Sequence, residues 1–159
     1  MNNSELEKVK EYFKALSGVE SAVGGFYALC FEYWPEEELW GNLALEEKRH
    51  SETVLAMLAL AEARPENFAL LKPLPLKPLS LFIEGIQAAA AKVRSGAYRK
   101  VQALAFSLDL EKTLVEARYD TLLRTEDQEY RMAVDGIKQD TGRHAKSFSA
   151  RINTLNIIK

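Results

Sequence analysis

Apolar residues recur with a helical period along almost the whole of this chain, and that feature excludes most folds. In the first stretch Val9, Phe13, Leu16, Val23, Tyr27 and Cys30 lie on one stripe. A second stripe holds Trp40, Leu43, Val54, Met57 and Ala61. A third holds Leu104, Leu108, Val115 and Leu122, and a fourth Val134, Ile137, Phe148 and Leu155. Strand-like alternation is absent, so the spacing predicts an all-α protein with long helices over residues 4–33, 35–63, 98–123 and 127–155. Pro35 should open the second helix, with Glu36, Glu37 and Glu38 at its positive end.

Between the second and third long helices lies "RPENFALLKPLPLKPLS". Its four prolines, Pro65, Pro73, Pro75 and Pro78, forbid a regular helix and predict an extended crossover. A shorter helix over residues 79–93 follows, ended by Ser95 and Gly96. Four long helices with one long connection in the middle suit a four-helix bundle in which one antiparallel pair packs on another.

The 159 residues fit one domain spanning 1–159, and 47% hydrophobic content is enough for a core. A net charge of −2 argues against a nucleic-acid partner. No apolar run approaches the ~20 residues of a membrane span, and "MNNSELEKVK" lacks the apolar centre of a signal peptide. A single cysteine, Cys30, excludes an intrachain disulfide and any multi-cysteine metal knuckle. The expected location is cytoplasmic.

The four stripes are interrupted in one chemical style. Glu20 sits on the first, Glu47 and His50 on the second, Glu111 on the third, and Thr141 and His144 on the fourth. A buried carboxylate costs several kcal/mol or neutralises unless something cationic meets it. Carboxylate oxygen with imidazole nitrogen suits iron, manganese or zinc, and Glu47 and His50, three apart, can face one ion. A weak internal repeat supports the grouping. Glu20 precedes His50 by 30 residues and Glu111 precedes His144 by 33, as a pseudo-twofold axis would leave behind.

Other acids read as ordinary. Glu46 and Glu52 fall off the second stripe and Glu116 off the third, and Glu84 opposes Phe82, Ile86 and Val93, so all four are expected in solvent. Tyr27, two turns after Glu20, reads as a core tyrosine, with a redox-active phenol beside the candidate ligands as the alternative. Gly24 and Gly25 cost about 1 kcal/mol each in mid-helix, which points to close helix approach.

The segments "GVESAVGGFYALC", "LALEEKRHSETVL", "LAFSLDLEKTLVEARYD" and "IKQDTGRHAKSF" resemble the four helices of the ferritin-like superfamily, most closely its rubrerythrin branch. That pattern takes a glutamate from each of two helices and a Glu-x-x-His from each of the other two. Glu20, Glu47, His50, Glu111 and His144 match it in order. Thr141 stands where the second Glu-x-x-His has its glutamate, and Leu114 where rubrerythrins often add another. Asp140 is the alternative acid, but it points about 75° from the stripe centre at ~100° per residue. Arg118 points near the stripe and can replace part of a metal charge. No Cys-x-x-Cys rubredoxin-like domain is present, so the chain resembles the short, single-domain members.

The resemblance implies a ferritin-like bundle binding one or two iron ions, with manganese or zinc as alternatives. Glu47 and Glu111 would be the bridging carboxylates. It implies a non-haem iron oxidoreductase acting on peroxide, dioxygen or ferrous iron, with an external electron donor and a homodimeric state. Three glutamates fall one charge short of two divalent ions. That predicts a tighter position at Glu20, Glu47 and His50 and a weaker one at Glu111 and His144. The alternative is a degenerate, non-catalytic bundle binding one metal or none, which Thr141 and Arg118 favour.

Overall fold

The structure is a computed structural model describing residues 1–116 and 122–157. It is mostly helical, with five helices and one two-stranded sheet among the described residues. Helix α1 spans Asn3–Tyr33 and α2 Glu38–Ala63; α3 spans Lys77–Arg94, α4 Lys100–Glu116 and α5 Gln128–Ile157. A 3₁₀ turn at Pro65–Asn67 leads into β1 (Phe68–Leu70), which pairs antiparallel with β2 (Leu123–Thr125). A capping box opens α1: the Asn2 side chain accepts from the Glu5 amide while the Glu5 carboxylate accepts from the Asn2 amide. Gly96 takes a φ of 74° just past α3, the left-handed geometry that glycine adopts freely.

Four expectations need correcting. The second long helix begins at Glu38, not Pro35, and only Glu38 lies in its first turn. Glu37 precedes the helix and its carboxylate takes a two-pronged contact from Arg151 Nε at 2.8 Å, so a tie to α5 replaces a role at the helix end. The third long helix does not run to Leu123, because that residue pairs with Leu70 in the sheet. Strands three residues long leave too few alternations for a period to register, which is why no strand was expected. The crossover helix starts at Lys77 with Pro78 in its first turn, where a proline's missing N–H has no intrahelical partner to lose. Arg118 lies outside the described residues, as do the side chains of Val115 and Glu116.

Helix pairing follows from short links and matched positions. Ser17 bonds Ser51, Gly24 lies against Glu47, and Gly41 lies against Phe31, so α1 and α2 run antiparallel along their length. Glu37–Arg151, His50–Asp140 and Arg64–Asp127 set α2 antiparallel to α5. Helix α4 packs on α5, and α3 lies against α1. A Cβ on Gly24 would meet the Glu47 Cβ at 3.1 Å and the Ala44 carbonyl at 3.3 Å, so this glycine lets α1 and α2 approach beside Glu47. Among the described residues Gly25 meets nothing within 4 Å, so of this pair the close-approach account applies to Gly24.

Two apolar clusters form the core. One gathers Val19, Val23, Tyr27, Trp40, Leu43, Leu104, Leu110, Leu114 and Phe148. The other gathers Phe13, Leu16, Val54, Met57, Phe68, Tyr130, Val134 and Ile137. On α2 and α5 the polar stripe residues fall in the sequence gaps between the clusters: Glu47 and His50 between Leu43 and Val54, Thr141 and His144 between Ile137 and Phe148; on α1, Glu20 stands between Val19 and Val23 of the first cluster. No described helix is long and apolar enough to cross a membrane.

Candidate metal centre

All five sequence-selected residues are buried: Glu20, Glu47, His50, Glu111 and His144 are each at most 5% exposed. Their donor atoms form two triads. Glu20, Glu47 and His50 present one ligand atom each within 4.8 Å of one another, and so do Glu47, Glu111 and His144. Glu47 belongs to both. Its Oε2 faces His50 Nδ1 at 3.2 Å and its Oε1 faces His144 Nδ1 at 2.8 Å. The two imidazole rings stack with centroids 5.6 Å apart. Four helices therefore deliver three carboxylates and two imidazoles to one interior layer.

The donor set fits a metal ion. Among the described residues, Glu47 Oε1, Glu111 Oε2 and His144 Nδ1 are buried without a hydrogen bond. The 2.8 Å approach of His144 Nδ1 to Glu47 Oε1 is an ion-pair contact that lacks hydrogen-bond direction. Leaving such atoms unsatisfied costs about 1–3 kcal/mol each, more when charged. Oxygen and imidazole donors converging in a dry layer are the environment a divalent cation relieves.

The outer ring nitrogens are held by residues that sequence reasoning assigned elsewhere. His144 Nε2 lies 2.9 Å from Glu46 Oε2, and His50 Nε2 lies 3.2 Å from Asp140 Oδ2. Arg143 donates to both Glu46 and Asp140, at 2.9 Å to Asp140 Oδ1. Glu46 is thus half-buried and engaged, not solvated as its position off the stripe suggested. Asp140 binds the outer side of His50 and joins neither triad. The stripe criterion treats each helix alone, whereas an acid at the edge of one helix meets the histidine on the next. The sequence did carry a signal: an acid stands four residues before each histidine and an arginine one before, in "EEKRH" and "DTGRH". Each acid serves the other helix's histidine. With an ion bound, Nε2–H would point outward to these acids and Nδ1 inward to the ion, and such partners fix a ligand histidine's tautomer and orientation.

Thr141 is buried in the layer, but its hydroxyl donates to the Ile137 carbonyl at 2.8 Å and turns back on its own helix. Leu114 is buried in the apolar cluster. Tyr27 is a core residue, as expected, and its hydroxyl donates to Glu111 Oε1 at 2.5 Å. Glu52 and Glu84 are exposed as expected.

Charge coupling is strong. Burial alone would lower His144, but Glu111, Glu47 and Glu46 reverse it and raise it to about 10. His50 is raised as well: burial opposes, and Glu47, Glu20 and Asp140 prevail. Burial raises Glu47, yet His144 and His50 hold it below the usual carboxylate range. For Glu111, burial and the Glu47 charge outweigh His144 and Tyr27, and its carboxyl is pushed up. A protonated histidine and a metal ion compete for the same carboxylates, so metal binding must release protons.

Outside His50, a cleft of about 420 Å³ opens between α2 and α5, lined by Glu46, Arg49, His50, Thr53, Asp140 and Arg143. No family model, curated protein or solved structure matches the chain. Its function is therefore argued from the residues of this buried layer.

Proposed function

We propose that the chain is a ferritin-like, rubrerythrin-like carboxylate protein that holds one or two metal ions, iron foremost, and supports oxidoreductase chemistry. The observation that carries this reading is Glu47, buried and shared by two ligand triads, one oxygen towards each histidine. Glu20, Glu47 and His50 would hold the first ion, and Glu47, Glu111 and His144 the second. Bound iron would supply electron exchange with peroxide or dioxygen, or would itself be oxidised from the ferrous state.

The chain's own residues do the rest. Glu46 and Asp140 orient the two histidines, and Arg143 holds those acids in place. The apolar clusters on either side keep water from the layer. The cleft outside His50 offers a small oxidant an approach. Tyr27 donates the hydrogen bond that fixes the Glu111 carboxylate.

Anaerobic titration with ferrous iron tests the proposal. Two ions per chain, with an absorption band on oxidation, is the expected result. No bound iron, and none with manganese or zinc, would overturn it. A second reading, a bundle binding one ion or none, is favoured by Thr141, whose hydroxyl faces its own helix, and by a His144 proton that already balances Glu47 and Glu111. One ion per chain that gives no absorption band on oxidation would select it.

A further inference from the structure

Both tryptophans of the chain belong to a succession of contacts that starts in the buried layer at Glu111. The Tyr27 hydroxyl is 2.5 Å from Glu111 Oε1 and 3.4 Å from the Ser107 carbonyl. Ser107 Oγ accepts from Trp40 Nε1 at 2.9 Å. The Trp40 ring lies 5.5 Å from Trp34, centroid to centroid, and Trp34 lies 6.0 Å from Tyr33. Tyr27 and Trp40 are fully buried, Trp34 is half-buried, and Tyr33 is 46% exposed at the end of α1. Phenylalanine would fill these places with a similar ring. The positions instead carry tyrosine and tryptophan, the two aromatic side chains that are readily oxidised by one electron.

We propose that Tyr27, Trp40, Trp34 and Tyr33 form a one-electron relay between the Glu111 side of the buried layer and the surface at the α1–α2 turn. In the reducing direction Tyr27 yields one electron inward, and its phenolic proton crosses the hydrogen bond to Glu111. Trp40 then returns an electron to the tyrosyl radical, and the proton comes back from Glu111. Trp34 refills Trp40. A one-electron donor of the iron–sulfur or flavin class refills Trp34, directly or through Tyr33. The net change is one electron moved from donor to centre, with no proton gained or lost by the chain. The destination rests on the metal reading, while the relay belongs to the chain's own side chains.

Metal-free protein in chelator can be oxidised by photogenerated tris(bipyridine)ruthenium(III), which takes one electron at the surface and returns to ruthenium(II). Radicals are followed by transient absorption and electron paramagnetic resonance. The expected result is a tryptophan radical that gives way to a tyrosyl signal present in the wild type and missing in Tyr27→Phe. That signal should be lost in Trp40→Phe and in Trp34→Phe. The second variant changes a half-buried residue, so it guards against a folding defect from the first, and circular dichroism checks both. An unchanged Tyr27 signal in folded Trp40→Phe and Trp34→Phe, or no Tyr27 signal in the wild type, overturns the relay. A Tyr27 signal in a chain that binds no iron sustains the relay and overturns only the metal reading.

Discussion

Glu47 is the residue on which the centre depends, because each of its oxygens faces a different histidine. Glu47→Ala should therefore abolish binding of both ions, whereas His144→Ala should spare the ion held by Glu20, Glu47 and His50. Thr141→Glu should add the missing carboxylate and tighten the second position. Ion counts from anaerobic ferrous titrations distinguish these outcomes, and equal loss in Glu47→Ala and His144→Ala would refute the division into two triads. Arg143 touches neither triad, yet it grips both acids that orient the histidines. Arg143→Ala should weaken metal affinity roughly 10–100-fold while leaving the stoichiometry intact.

At the scale of the helix, the approach of α1 to α2 is tight at one glycine and loose at its neighbour. Gly24→Ala would place a Cβ 3.1 Å from the Glu47 Cβ and 3.3 Å from a backbone carbonyl. Spreading the pair there should cost about 1–3 kcal/mol, more than the helix-propensity gain of about 1 kcal/mol. Gly25→Ala meets nothing and should stabilise by up to about 1 kcal/mol. Urea denaturation of the two variants should give midpoints that move in opposite directions. Gly24→Ala should also shift Glu47 and weaken metal binding, an effect Gly25→Ala should not share.

For the whole molecule, a bound metal would compete with protons to neutralise the same interior. In chelator, the raised His144 contributes stability that is complete below its unfolded pKa of about 6.5. That stability is lost as pH rises through about 10. The melting temperature of the metal-free chain should accordingly fall across that window, as Glu46, Glu47 and Glu111 each lose the His144 charge. Excess metal at about a hundred times its dissociation constant should add about 2.7 kcal/mol by mass action. For a chain of this size that raises the melting temperature by roughly 5–10 °C. Scanning calorimetry with and without metal checks both effects. A melt insensitive to iron, manganese and zinc would count against a functional centre.

The sequence by itself determined the helices and picked out five polar residues that the structure buries in one layer, because a 3.6-residue period and a polar break in an apolar stripe are both local properties of one helix. Glu20, Glu47, His50, Glu111 and His144 were legible for that reason, and so was the crossover with its short helix. Only the tertiary structure decided what lies between helices. It exchanged Glu46 and Asp140 across to each other's histidine, joined them through Arg143, and turned the Thr141 hydroxyl back on α5. It also paired Phe68–Leu70 with Leu123–Thr125, strands that are distant in sequence. These are contacts between separate elements, set by helix register and crossing, and no single-helix period encodes them.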